Sequence, residues 1–158
     1  MSYDFNADDI FEIAEQLERN GAKFYRNAAA GVSDTASKEF LIKLAGMEDD
    51  HEKTFKTLRA TLAANEKTPT VFDPQDEAVL YLKALADTKV FFEKETTYAS
   101  MKEILKSAIE AEKDSIVFYL GMKEAVPEKS GRNKIEAIIK EEMGHIRILS
   151  RELVDLKK

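Results

Sequence analysis

Apolar residues recur at alternating three- and four-residue steps along four long segments of this chain, a spacing that amphipathic helices gather into continuous buried stripes. The first stripe is Ile10, Ala14, Leu17, Gly21, Phe24 and Ala28, and the second Phe40, Leu44, Met47, Phe55, Leu58 and Leu62. The third is Met101, Leu105, Ala108, Ile116, Tyr119 and Met122, and the fourth Ile135, Ile138, Ile146, Leu149 and Leu153. Asn6 reads as an N-cap with Asp9 at N3, opening a helix to about Ala30. Gly31-Val32-Ser33-Asp34 is a turn in which Ser33 or Asp34 caps the next helix. Ser100 and Glu103 read as a capping box opening a helix to about Ala125, and Val126-Pro127 with Ser130-Gly131 as the turn after it. Long helices joined by short loops are αα-hairpins, so the predicted fold is all-α, a four-helix bundle of two hairpins.

Residues 65–99 lose this period. Asn65 to Pro74 is a polar loop ending in Asp73-Pro74, an N-cap followed by Pro at N1. A short helix is expected from Gln75 to about Thr88, with Val79, Leu82, Leu85 and Ala86 inward. A connection this long suits a crossover along a hairpin ~40 Å tall, at ~1.5 Å rise per residue. The expected organisation is a single domain over 1–158, with repeats at 6–64 and 100–158 and the crossover at 65–99.

Composition narrows the function. The 24 basic and 30 acidic residues leave a net charge of −6, which repels phosphates, so no nucleic-acid partner is expected. The absence of cysteine removes disulfide scaffolds, Cys-ligated zinc, iron–sulfur clusters and thiol catalysis, and suits a reducing, cytoplasmic setting. Neither a signal peptide nor a membrane-length apolar run is expected, and hence no membrane partner.

Polar residues interrupt the apolar stripes at telling places. Glu18 lies among Ala14, Leu17, Gly21 and Tyr25, and Glu48 and His51 lie among Leu44, Met47 and Phe55. Glu112 lies among Ala108, Ile109, Ile116 and Tyr119, and Glu142 and His145 among Ile138, Ile139, Ile146 and Leu149. Four carboxylates and both histidines of the chain thus point at one core, where an unpaired ionised carboxylate is very costly. A shift of 94 positions superposes Glu18 on Glu112, Glu48 on Glu142, His51 on His145, Phe24-Tyr25 on Phe118-Tyr119, Ala14 on Ala108 and Ile10 on Ile104. The repeat is faint elsewhere and sharp at these positions.

Residues three apart on a helix share a side, so a Glu-x-x-His pair can hold one metal ion while its carboxylate reaches a second. One such pair is usually surface decoration. Two at matched offset, with matched glutamates thirty positions upstream, are not. Glu18, Glu48, His51, Glu112, Glu142 and His145 make six ligands for two ions, the pattern of di-iron and di-manganese carboxylate bundles. The four glutamate charges balance two divalent cations. Fe is the first choice, with Mn and Zn equally suited to these ligands. Tyr25 and Tyr119, seven residues after each single glutamate, read either as packing with a satisfied hydroxyl or as donors to a ligand carboxylate across the bundle.

Through Leu17-Glu18, Phe24-Tyr25, Glu48-x-x-His51, Glu112, Phe118-Tyr119 and Glu142-x-x-His145, nearly the whole chain resembles a rubrerythrin-type member of the ferritin-like superfamily. The resemblance implies a ferritin-like bundle, Glu48 and Glu142 as bridging carboxylates, Glu18 with His51 on one ion, and Glu112 with His145 on the other. Two departures stand out. Rubrerythrins carry a rubredoxin module with four Cys ligands, and this sequence has no Cys. They also carry a carboxylate one turn after the third-helix ligand, where this chain has Ser115.

Three function classes follow. The first is a di-iron oxidoreductase that meets O2 or hydrogen peroxide and is re-reduced by an external electron donor. The second is an iron-handling ferroxidase or storage-type protein, and the third a bundle that metal merely holds together. Glu110, Glu136, Glu141, Glu152 and the run Glu93-Lys94-Glu95 read as solvated faces, and an exposed role suits Asp49 and Asp50. Val90, Phe91 and Phe92 form an apolar patch in the crossover, for which a homodimer or small homo-oligomer is the expected use.

Overall fold

The computed structural model describes residues 6–65, 76–88, 100–126, 128 and 131–156. Asp73-Pro74, Gln75, Val90 to Phe92, Glu93 to Glu95, Pro127 and Ser130 lie outside them. The described chain is helical: α1 (Ala7–Gly31), α2 (Thr35–Asn65), α3 (Glu77–Thr88), α4 (Met101–Ala125) and α5 (Arg132–Leu156). Among the described residues the helices are capped where the sequence predicts. Asn6 and Asp9 form a reciprocal capping box, with Asp9 N donating to Asn6 Oδ1 at 3.0 Å and Asn6 N to Asp9 Oδ2 at 2.9 Å. Asp34 accepts from Ser37 N at 2.9 Å, which resolves the choice of cap for α2 in its favour over Ser33. Ser100 Oγ accepts from Glu103 N at 3.2 Å.

The two hairpins, α1 with α2 and α4 with α5, are the extensive contacts of the fold, and α1–α4 and α2–α5 join them more sparingly. Burial follows the predicted stripes but gathers into two apolar clusters. One holds Ile10, Phe11 and Ala14 of α1 with Phe55, Phe118, Met122, Ile135 and Ile139. The other holds Ala28, Ala29, Leu41 and Ala45 with Ile104, Leu105, Ala108 and Leu149. The repeat exchanges them: Ile10 of the first corresponds to Ile104 of the second, while Met122, Ile139 and Phe55 of the first replace Ala28, Ala45 and Leu149 of the second. A pseudo-twofold axis therefore crosses the bundle between a bulkier end and an alanine-rich end.

α3 covers the bulkier end, burying Val79 and Leu82. Its approach to α4 depends on Gly121, where a Cβ would stand 2.6 Å from the Tyr81 ring. The Tyr81 hydroxyl donates to the Val117 carbonyl at 2.8 Å, fixing the contact. No helix among the described residues is long and apolar enough to cross a membrane.

Candidate metal centre

The polar interruptions form one layer between the two apolar clusters. Glu18, Glu48, His51, Glu112, Glu142 and His145 come one each from α1 and α4 and two each from α2 and α5, and none is more than 4% exposed. The helical step of three places Glu48 beside His51 and Glu142 beside His145. The imidazoles then lie nearly parallel across the axis, with centroids 5.8 Å apart and planes at 19°.

Two overlapping ligand sets result. Glu18, Glu48, His51 and Glu142 can offer one atom each within 4.8 Å of one another, and so can Glu48, Glu112, Glu142 and His145. His51 Nδ1 stands 2.7 Å from Glu142 Oε1, 3.5 Å from Glu18 Oε2 and 3.7 Å from Glu48 Oε2. His145 Nδ1 stands 3.3 Å from carboxylate oxygens of Glu48, Glu112 and Glu142. Glu48 and Glu142 belong to both sets, and each set draws on both hairpins.

The donor set fits two cations. Glu18 Oε2, His51 Nδ1 and both Glu142 oxygens are buried without a hydrogen-bond partner. His51 Nδ1 and Glu142 Oε1 are close yet lack hydrogen-bond geometry, as expected of donors aimed at a common third point. Buried polar atoms are otherwise almost always paired, because leaving one unpaired costs ~1–3 kcal/mol.

Without cations the layer must share protons. Burial raises Glu142 to about 8, with Glu112 and Glu18 adding to the effect. Glu48 is pushed well up by burial and by the charges of Glu18, Glu142 and Glu112. Burial would also raise Glu112, but contacts with Glu142, His145 and Glu48 bring it down to about 2. Burial alone would lower both histidines, yet the facing carboxylates overturn this, raising His51 strongly and His145 to about 12. The apo layer is thus a proton-sharing cluster of carboxylates and imidazolium rings.

Around it, the Tyr25 hydroxyl donates to Glu112 Oε1 at 2.7 Å and the Tyr119 hydroxyl to Glu18 Oε1 at 2.6 Å. Each tyrosine reaches the glutamate of the opposite hairpin, so the hydrogen bonds obey the same twofold as the repeat. Burial and then the neighbouring glutamate charge raise both phenols, keeping them protonated donors.

Other acidic residues divide as their surroundings dictate. Arg26 pairs with Asp49, Lys113 with Glu110 at 3.3 Å and Lys123 with Glu136 at 3.6 Å, while Asp50 and Glu152 are exposed. Glu141 corrects the reading of a purely solvated face: 56% exposed, its Oε2 still lies 2.5 Å from His51 Nε2. Sequence reasoning also passed over Glu15, a buried carboxylate paired 2.8 Å from Arg59 on the neighbouring helix.

Two hairpins packed antiparallel around a mid-height carboxylate–histidine layer, with the connection running from one hairpin to the other, make this a ferritin-like bundle. The chain is similar to a crystal structure from Thermotoga maritima, assigned as that of a ferritin-like diiron-carboxylate protein. The two share 23% identity over 97% of each chain, with a TM-score of 0.67. No protein-family model matches the sequence, and no curated protein matches it.

Proposed function

We propose that this chain is a di-iron carboxylate protein whose reduced form reacts with O2 or hydrogen peroxide, an oxidoreductase of rubrerythrin-like chemistry served by an external electron donor. The observation that carries the reading is the pair of ligand sets sharing Glu48 and Glu142. In it, Glu48 and Glu142 would serve both ions, Glu18 and His51 would complete one site, and Glu112 and His145 would complete the other. A bound pair of redox-active ions supplies two electrons to an oxidant, which is the chemistry that side chains alone cannot provide. The residues orient and balance that charge. Tyr25 and Tyr119 hold Glu112 and Glu18 in place through their hydroxyls, and the two apolar clusters keep bulk water from the layer. Ser115, one turn after Glu112, offers no fifth carboxylate, so no exchange between carboxylate ligands is expected at that position.

The test is anaerobic loading with Fe(II), metal analysis, and visible and near-ultraviolet spectra during peroxide titration. Two ions per chain and rapid spectral change on peroxide addition are expected. His51→Ala and His145→Ala should each lose at least one ion, since each removes the only imidazole of its set. A diferrous form that survives hours in peroxide overturns the redox reading. A second reading has its own support: each set draws ligands from both hairpins, so metal would also hold the bundle together. Full, redox-silent zinc occupancy after growth in iron-replete medium would favour that role alone.

A further inference from the structure

The ligands and the tyrosines behind Glu112 and Glu18 obey the twofold, but the outer partners of the two histidines do not. His51 Nε2 faces Glu141 Oε2 at 2.5 Å, across from α2 to α5. When a cation takes the place of the Nδ1 proton, an acceptor there holds the remaining proton on Nε2 and keeps the Nδ1 lone pair aimed at the carboxylate layer. His145 Nε2 is buried and has no hydrogen-bond partner. The repeat explains the difference: Glu141 corresponds, 94 positions earlier, to Met47, a half-buried residue packed against the alanine-rich cluster. A thioether is a poor acceptor, so position 47 cannot orient an imidazole as position 141 does.

Resting on the dinuclear centre proposed above, we infer that Glu141 is a positioning residue that makes the two metal sites unequal, so that the His51 site fills before the His145 site. Both sites share Glu48 and Glu142, and each adds one glutamate held by a tyrosine, so these contributions largely cancel between them. What remains is the histidine's outer partner. Carboxylates behind metal-binding histidines are worth roughly 10–100-fold in affinity, and the exposure of Glu141 places it at about tenfold.

The chain has only two histidines, so nitrogen-15 spectra of the imidazole rings report each site separately. The apo protein is titrated with Zn2+, the rings being assigned from a His51→Gln variant. At one equivalent, about nine in ten bound ions should perturb the His51 ring; the second equivalent should then perturb His145. Glu141→Ala should bring the two rings to nearly equal response, and Glu141→Gln, which keeps an acceptor, should fall between. Met47→Glu should narrow the preference from the other side, by strengthening the His145 site. Equal response in the wild type, or a preference unchanged in Glu141→Ala, overturns the inference and leaves the dinuclear centre standing. Zn2+ that perturbs neither ring refutes the centre itself.

Discussion

Removing metal should invert the pH dependence of stability, and the size of the effect can be worked from the carboxylate–histidine layer. In the apo fold Glu142 titrates at about 8 against an ordinary 4.5, and His145 at about 12 against 6.5. Both folded values are raised, so both groups stabilise the fold fully below their ordinary values and lose that contribution as pH climbs toward the folded ones. Glu112, lowered from 4.5 to about 2, acts oppositely and only in acid, where its contribution disappears as pH falls. Each extra proton held by the folded state is worth ~1.4 kcal/mol per pH unit. Between pH 6.5 and 8, Glu142 and His145 together hold between one and two extra protons. Apo stability should therefore fall by ~3 kcal/mol across that range, with Glu48 and His51 adding in the same direction. At a urea slope of ~2 kcal/mol/M the midpoint should drop by ~1.5 M. Bound metal needs deprotonated ligands, so the Zn2+-loaded protein should gain stability over the same range. Urea titrations at several pH values, with chelator and with Zn2+, decide it. Apo stability that is flat or rises from pH 6.5 to 8 would refute the proton-sharing layer.

Three further outcomes are expected. Tyr25→Phe removes the buried donor to Glu112, and Tyr119→Phe the donor to Glu18; each should weaken metal binding, at ~1.5–3 kcal/mol for a hydrogen bond to a charged group, with helicity by circular dichroism unchanged. Gly121→Ala drives a methyl into the Tyr81 ring and should cost ~1–3 kcal/mol in urea unfolding, and combining it with Tyr81→Ala should recover part of that loss. Arg59→Ala strands the buried Glu15 carboxylate and should lower stability by ~1–3 kcal/mol, whereas the double variant with Glu15→Leu should be less affected than Arg59→Ala alone.

The centre is legible in the sequence because its residues violate the pattern around them. A glutamate on a helical apolar stripe must be explained, and the same violation repeated at a fixed offset identifies all six side chains that the fold brings together. Caps and turns are equally plain, since Asn6, Asp34 and Ser100 act within three residues of themselves. Glu141 was hidden because it sits on the polar side of its stripe, where carboxylates are ordinary. Its reach to His51 spans 90 positions and needs the hairpins assembled. The one available signal was negative, the lack of a carboxylate at the repeat-equivalent Met47. Gly121 and Glu15 were silent for a related reason: their meaning lies with Tyr81 and Arg59, on other helices.

The sparser contact between hairpins than within them has a mechanical consequence. The seam along which α1 meets α4 and α2 meets α5 is crossed at mid-height by the carboxylate–histidine layer. Lateral opening of this clamshell would part the helix pairs that approach less closely, and would return the crowded charges to water. Cations gripping side chains from both leaves would work as a latch. Loading and release would then be opposite strokes of one hinged movement, with the exchange of metal timed by how often the halves part.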